Sequence, residues 1–257
     1  MEFLLPNYFN TTTMIVVNNN TGTAENLLNR DPFYQYYTDG MDNDLTTSSI
    51  IITFGSTLPV SRIAMLDTNF KDFRIFYNGA TANSFTFLNA DTTTSIYTGN
   101  ADANKYFRFT TVQCSSITIQ CTKTFVANDE KLLGLFVLSD LKVSLTRTPS
   151  SKGFKPKKLP KQVVHTLSDG GTRIHNVSKK YQHSLKITHV PTALRQTLGT
   201  FYDTINEFNF CPFGTATSWD AIFYEAVWDG PDTFDELSDD ASSSGYSGSI
   251  SIKETPY

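Results

Sequence analysis

Tyrosines, aspartates, histidines and lysines supply the residues with chemical potential in this sequence. The run Asp31-Pro-Phe-Tyr34-Gln-Tyr36-Tyr37 sets three tyrosines beside a proline turn. Flat rings so placed stack on sugars while neighbouring Asp or Asn side chains bond the hydroxyls, and the same rings also suit a packing or subunit contact. Asp39, Asp42 and Asp44 follow at once. Their hard oxygens suit a structural calcium ion, although the EF-hand spacing is absent and such Asp/Asn/Gly clusters also make turns.

All four histidines, His165, His175, His183 and His189, lie within 25 residues. Six positions along a strand span about 20 Å, so His183 and His189 cannot share an ion, and ordinary strand histidines are expected. Glycosidase carboxylates could be drawn from Asp203, Asp220 or Glu225, but spacing sets no pair at a working separation. No GxSxG, HExxH, P-loop or GxGxxG occurs. Three cysteines without a CxxC favour neither a disulfide framework nor a zinc knuckle. The expectation is a protein without catalysis and without a cofactor beyond that structural calcium.

Charge is segregated along the chain. Residues 1–140 carry 8 Lys/Arg against 13 Asp/Glu, residues 141–180 carry 10 against 1, and residues 181–257 carry 3 against 11. The basic block centres on Lys152-Gly-Phe-Lys155-Pro-Lys157-Lys158-Leu-Pro-Lys161, whose prolines favour an extended linker. With one aromatic, Phe154, to stack on a base, the block makes a poor nucleic-acid site. Its natural complement is the acidic loop containing Asp235, Glu236, Asp239 and Asp240, on the same chain or a neighbouring copy.

These groups must be held by strands. Aromatics make up 13% of the 257 residues, threonine occurs 35 times, and charged residues are only 18%, a composition that favours sheet over helix. No apolar run approaches the roughly 20 residues that span a bilayer, and no secretory signal is visible at residues 1–12, which suits a soluble chain kept with its thiols reduced.

Strand-length runs fill the first half. They are Ile50–Phe54, Ser61–Leu66, Phe73–Tyr77 before an Asn78-Gly79 turn, Ser84–Leu88, Tyr106–Thr110, Ser116–Thr122 and Leu132–Leu138. The last is apolar at nearly every position, which suits a strand covered on both sides. Beyond the linker, strands at Gln162–Leu167, Thr172–Val177 and His183–Val190 precede an amphipathic helix over Pro191–Ile205, and Phe208–Phe213, Ala221–Trp228 and Ser247–Glu254 follow. The reading is mainly β: two β-sandwich domains, a jelly roll over residues 1–140 and a sandwich with one helix over 162–257, joined by a basic linker over 141–161.

Two resemblances sharpen this. Val60-Ser-Arg-Ile-Ala-Met-Leu66, Phe73-Arg-Ile-Phe-Tyr77, Tyr106-Phe-Arg-Phe109, Ile117-Thr-Ile119 and Leu132-Leu-Gly-Leu-Phe-Val137 together resemble the galactose-binding-like, discoidin-type jelly roll, here without its flanking cysteine pair. His183-Ser-Leu-Lys-Ile187, the helix after Pro191, Glu207-Phe-Asn-Phe210 and Gly248–Glu254 resemble the sandwich-plus-helix of tailed-bacteriophage tail-tip proteins. That resemblance implies a ring-forming structural subunit of a virion tail tip or baseplate, assembled in the host cytoplasm. It would contact other tail proteins through Lys155, Lys157 and Lys158 against the acidic loop. The jelly roll would project outward. The alternative is a carbohydrate-binding adhesin module that reads host glycans through Tyr34, Tyr36 and Tyr37, with no membrane contact.

Overall fold

The computed structural model describes residues 1–9, 14–18, 24–29, 34–38, 44–79, 83–88, 95–145, 157–166, 171–212, 224–231, 233–236 and 245–255. In chain order the strands begin with β1 (Glu2–Leu4), β2 (Met14–Asn18), β3 (Tyr36–Tyr37), β4 (Ser48–Thr68), β5 (Phe70–Tyr77), β6 (Ile96–Tyr97), β7 (Lys105–Thr124), β8 (Leu132–Ser139) and β9 (Leu141–Ser144). They continue with β10 (Lys157–Thr166), β11 (Thr172–Val190), the helix α1 (Thr192–Thr204), β12 (Glu207–Cys211), β13 (Tyr224–Trp228), β14 (Thr233–Glu236) and β15 (Tyr246–Glu254). The chain is mainly β, its sheets are antiparallel, and α1 is the one α-helix among the described residues.

The jelly roll is built by two long strands that change layer. In β4, alternating Ile50, Ile52 and Phe54 give way to exposed Gly55, Ser56 and Thr57, and the pairing with β7 slips between Thr53 and Leu58. The slip bends both strands, so each contributes one half to each layer. The outer layer holds β2, the first half of β4, the second half of β7, β5 and β6. The inner layer holds β3, β8 and the remaining halves of β4 and β7. Ile50, Ile52, Ile117 and Ile119 from one layer meet Ile63, Met65, Phe107, Phe136 and Leu138 from the other in a single core. Asn78 and Gly79 both adopt positive φ at the end of β5, as a tight turn requires.

The second sheet runs β10-β11-β15-β13-β12-β1-β9, with β14 also on β15. Helix α1 lies on one face of it through Leu198 and Phe201, packing with Phe3, Phe208, Phe210, Ile250 and Ile252. Pro191 is its N-cap and Ile205 its C-cap, so the periodicity of residues 191–205 marked the helix to within a residue.

Two expectations need correction. The first strand of the chain belongs to the second sheet: β1 pairs with both β12 and β9, so residues 5–140 form an insertion between adjacent strands of that sheet. Three residues carry no hint of a partner more than a hundred positions away. The segment expected as a linker over 141–161 is strand at both described ends, Leu141–Ser144 and Lys157–Lys161. Pro160 is tolerated because β10 is an edge strand, where a missing N–H and a row of lysines also discourage edge-to-edge pairing.

The insertion is fastened to its host sheet. The inner layer turns Ala64, Tyr106, Leu135 and Val137 away from the jelly-roll core and onto Leu4 and Cys211. Within this contact Glu2, Arg62 and Tyr106 are 2%, 6% and 1% exposed. Arg62 donates to both Glu2 oxygens, from Nε at 3.0 Å and Nη2 at 2.8 Å, and Tyr106 Oη donates to Glu2 Oε2 at 2.6 Å. Arg62 Nη1 is taken up by the carbonyls of Ser61 and Phe109. Burial alone would lower the Arg62 guanidinium; its bonds to Glu2 and the Glu2 charge outweigh that and raise it. Asp140, at the end of the insertion, accepts from Ser61 Oγ at 2.7 Å, and its carbonyl accepts from Leu5 N–H at 3.0 Å. Removing one partner of a buried pair leaves an uncompensated charge, so Arg62→Met is expected to cost about 3–5 kcal/mol. The double change Glu2→Met with Arg62→Met is expected to cost far less, and urea unfolding of the two variants measures the difference.

Candidate functional site

Strand alternation decides the fate of the tyrosines. Tyr36 faces the jelly-roll core and is fully buried, whereas Tyr37, its neighbour on β3, is 42% exposed and Tyr34 is 51% exposed. The structure therefore separates Tyr36 from any aromatic platform and leaves Tyr34 and Tyr37 outside. Of the three aspartates, Asp39 and Asp42 lie outside the described residues. Asp44 donates its N–H to Asn128 Oδ1 at 3.1 Å, and its own Oδ1 is buried without a hydrogen-bond partner among the described residues. Among those residues no group of three or more His, Cys, Asp or Glu could hold a metal ion.

The basic and acidic segments are placed only in part. Lys157 is exposed on β10 and Asp235 is exposed on β14. The side chains of Lys158 and Glu236, and all of Lys155, Asp239 and Asp240, lie outside the described residues. Among the described residues, strand β10 pairs only with residues 172–182 of β11, while β11 pairs with β15 only from Gln182 onward. The two form a ribbon reaching roughly 30 Å beyond the sheet at 3.3 Å per residue. Residues 157–182 carry six Lys/Arg against one Asp.

Of the carboxylates on which hydrolysis could draw, two are described and they lie on different elements. Glu225 is buried in β13, Asp203 is exposed on α1, and Asp220 lies outside the described residues. The buried Cys114 thiol is pushed up to about 12, so it makes a poor nucleophile. His165 is exposed on the ribbon, and the side chains of His175 and His189 lie outside the described residues. His183 is 1% exposed on the face shared with Leu185, against the rings of Tyr181 and Phe210.

One cleft with charged and amide groups was missed by sequence reasoning. On the outer layer, β5, β6 and β7 border a cleft of about 350 Å³ lined by Asp72, Arg74, Ile96, Tyr97, Gln120 and Lys123 among others. Alternation along Phe73-Arg-Ile-Phe-Tyr77 buries Phe73 and Ile75 and turns Arg74 outward. Arg74 Nε donates to Gln120 Oε1 at 2.5 Å, and Gln120 Nε2 donates to Ser49 Oγ at 3.1 Å. Asp72 Oδ1 accepts from Gly99 N–H at 2.7 Å and Oδ2 pairs with Lys123 Nζ at 3.0 Å. The Gly99 bond, with Lys123 behind it, holds the Asp72 carboxyl below its usual range. Ile96 is 57% exposed at the rim, and Tyr97 stacks on Phe73 with centroids 4.9 Å apart. An outward Arg on a strand reads as ordinary solvated surface, so its spacing gave no signal; the cleft exists only once β6 is folded against β5.

No model of a known protein family matches the sequence, and no curated protein matches it. Among solved structures, a mutant of chitosan-binding module 1 from a chitosanase/glucanase of Paenibacillus sp. IK-5 is similar at 12% identity and a TM-score of 0.42, over 53% of this chain and 99% of that one. CBM32-3 from a family 31 glycoside hydrolase of Clostridium perfringens is similar at 15% identity and a TM-score of 0.38, over 50% and 91%. CpGH89CBM32-5 of Clostridium perfringens, solved with GalNAc-β-1,3-galactose, is similar at 8% identity and a TM-score of 0.38, over 52% and 98%. Each of these likenesses spans about half of this chain, whose layers and register stand on the strand pairing described above.

Burial lowers the His183 imidazole from 6.5 to about 4. A depressed folded value means that the unfolded chain binds the extra proton between those limits. The stability is complete above pH 6.5 and is lost as the pH falls toward 4, by up to about 3 kcal/mol. His183→Leu is expected to flatten the pH dependence of the unfolding midpoint across that window.

Proposed function

We propose that the chain is a non-catalytic carbohydrate-binding protein whose jelly roll attaches it to a glycan-bearing surface. The observation that carries this reading is the outer-layer cleft. It combines a guanidinium, a carboxylate, an amide and hydroxyl groups, each held by strand neighbours, with an exposed apolar side chain. That is the equipment for bonding sugar hydroxyls while covering the C–H face of a pyranose ring. The solved structures reported above include a chitosan-binding module and a carbohydrate-complexed module, which agrees with the reading. Exposed Tyr34 and Tyr37 lie at β3 of the inner layer, apart from this cleft, and would offer at most a separate contact, and Asp44 with Asp39 and Asp42 would hold a structural calcium ion. A glycan array of the full chain is expected to give saccharide hits. Ile96→Asp should weaken them at least tenfold, and the pair Tyr34→Ala with Tyr37→Ala only a few-fold. An array without any hit overturns the reading.

A second reading is a ring-forming subunit of a phage tail tip or baseplate, which would use the open edges of the second sheet for assembly. Both ends of the second sheet are edges among the described strands, β10 at one and β9 at the other. The basic ribbon extends from the β10 side, and a two-stranded ribbon is marginally stable in water without a surface to lie on. Changing Lys155, Lys157 and Lys158 together to Glu should then reduce self-association in light scattering, more strongly at low salt. Equal association at every salt concentration rejects the pairing.

A further inference from the structure

The charges around the outer-layer cleft are unequal in their commitments. Asp72 is satisfied by Gly99 N–H and Lys123 Nζ. Arg74 has no carboxylate partner among the described residues, and its one hydrogen bond there leaves from Nε. Gln120 is anchored in turn by Ser49, so the guanidinium is held at its Nε side and its two Nη groups remain available. The Arg74 guanidinium also lies over the Phe76 ring, 5.7 Å from the centroid, a second contact that holds it in place. A planar fork oriented this way matches a carboxylate through two parallel N–H···O bonds, a geometry that neutral sugar hydroxyls do not reproduce.

We propose that this cleft recognises a saccharide carrying a carboxylate, a uronic or sialic acid, with Arg74 as its specificity-determining residue. The inference rests on the glycan-binding reading and adds the class of sugar. Arg74 clasps the carboxylate, and Gln120, with the Thr47 and Thr122 hydroxyls also lining the cleft, is placed to bond ring hydroxyls. Ile96, exposed at the rim, covers the apolar face of the ring. Lys123 is engaged by Asp72, so that pair is neutral and Arg74 carries the net positive charge of the cleft.

Calorimetric titration of the full chain at pH 7 tests this with trigalacturonic acid and its neutral counterpart galactotriose, and with 3′-sialyllactose and lactose. At least one acid should bind ten- to a hundredfold more tightly than its neutral partner, the span expected of a charge-assisted bidentate contact. The pair that shows the difference identifies the source of the carboxylate. Arg74→Ala should reduce the acid to the neutral level, and Arg74→Lys should restore only part, since an ammonium cannot form the fork. Arg74 is exposed, so both variants should keep the parent unfolding midpoint. Equal binding of acid and neutral sugar, unchanged by Arg74→Ala, overturns the acid preference and leaves glycan binding standing. Failure of every saccharide to bind overturns both.

Discussion

A buried carboxylate must be paired, and Glu2 is paired with residues from the other sheet. It sits at the start of β1, and its partners Arg62 and Tyr106 come from the inner layer of the jelly roll. With all three side chains buried, the arrangement is tolerable only when each is present. The same contact closes the insertion: Leu5 and Asp140 meet there, and Leu4, Ala64, Tyr106 and Val137 fill the space around them. Sheet and jelly roll therefore share one junction in which neither side's polar groups are satisfied alone.

That junction determines which surfaces remain for binding. Covering the inner layer on its far side leaves the outer layer, the sandwich edges and the basic ribbon open. The cleft bordered by β5, β6 and β7 lies on the outer layer, away from the junction, and so keeps its charged residues in water. Arg74 and Asp72 can then be ordered by single neighbours, Gln120 and Gly99, without the desolvation that the Glu2 pair must offset. The ribbon is a different kind of surface, two strands wide, cationic, and, among the described residues, joined to the sheet only at its base.

How much of this was legible follows from the range of each signal. Leu132–Leu138 read as a strand covered on both faces, and it is: Phe136 and Leu138 enter the jelly-roll core while Leu135 and Val137 meet the second sheet. Helix α1 was legible because Leu194, Leu198 and Phe201 recur at its period. Local patterns fail where the partner is distant. Nothing in Glu2-Phe-Leu4 announces β9 or β12, and the prolines near Lys157 signal an extended chain without saying whether it pairs. The tyrosine cluster shows the opposite failure, since residue type suggested a platform while alternation along β3 sent Tyr36 inward. Arg74 was invisible because its importance lies in Gln120, which is adjacent only across the sheet.

The central structural claim is that completion of the second sheet depends on the folded insertion, because β1 can reach β9 only if the 136 intervening residues, 5–140, hold their ends together. Closing that loop without folded structure inside it would cost about 4 kcal/mol of chain entropy, which grows only slowly with loop length. Hydrogen exchange at increasing denaturant tests this directly, by following the amides of β1 and β9 beside those of β4, β7 and β8. Loss of protection at β1 and β9 in step with the jelly-roll strands is the predicted result. Persistent protection of β1 after the jelly roll has opened would contradict it.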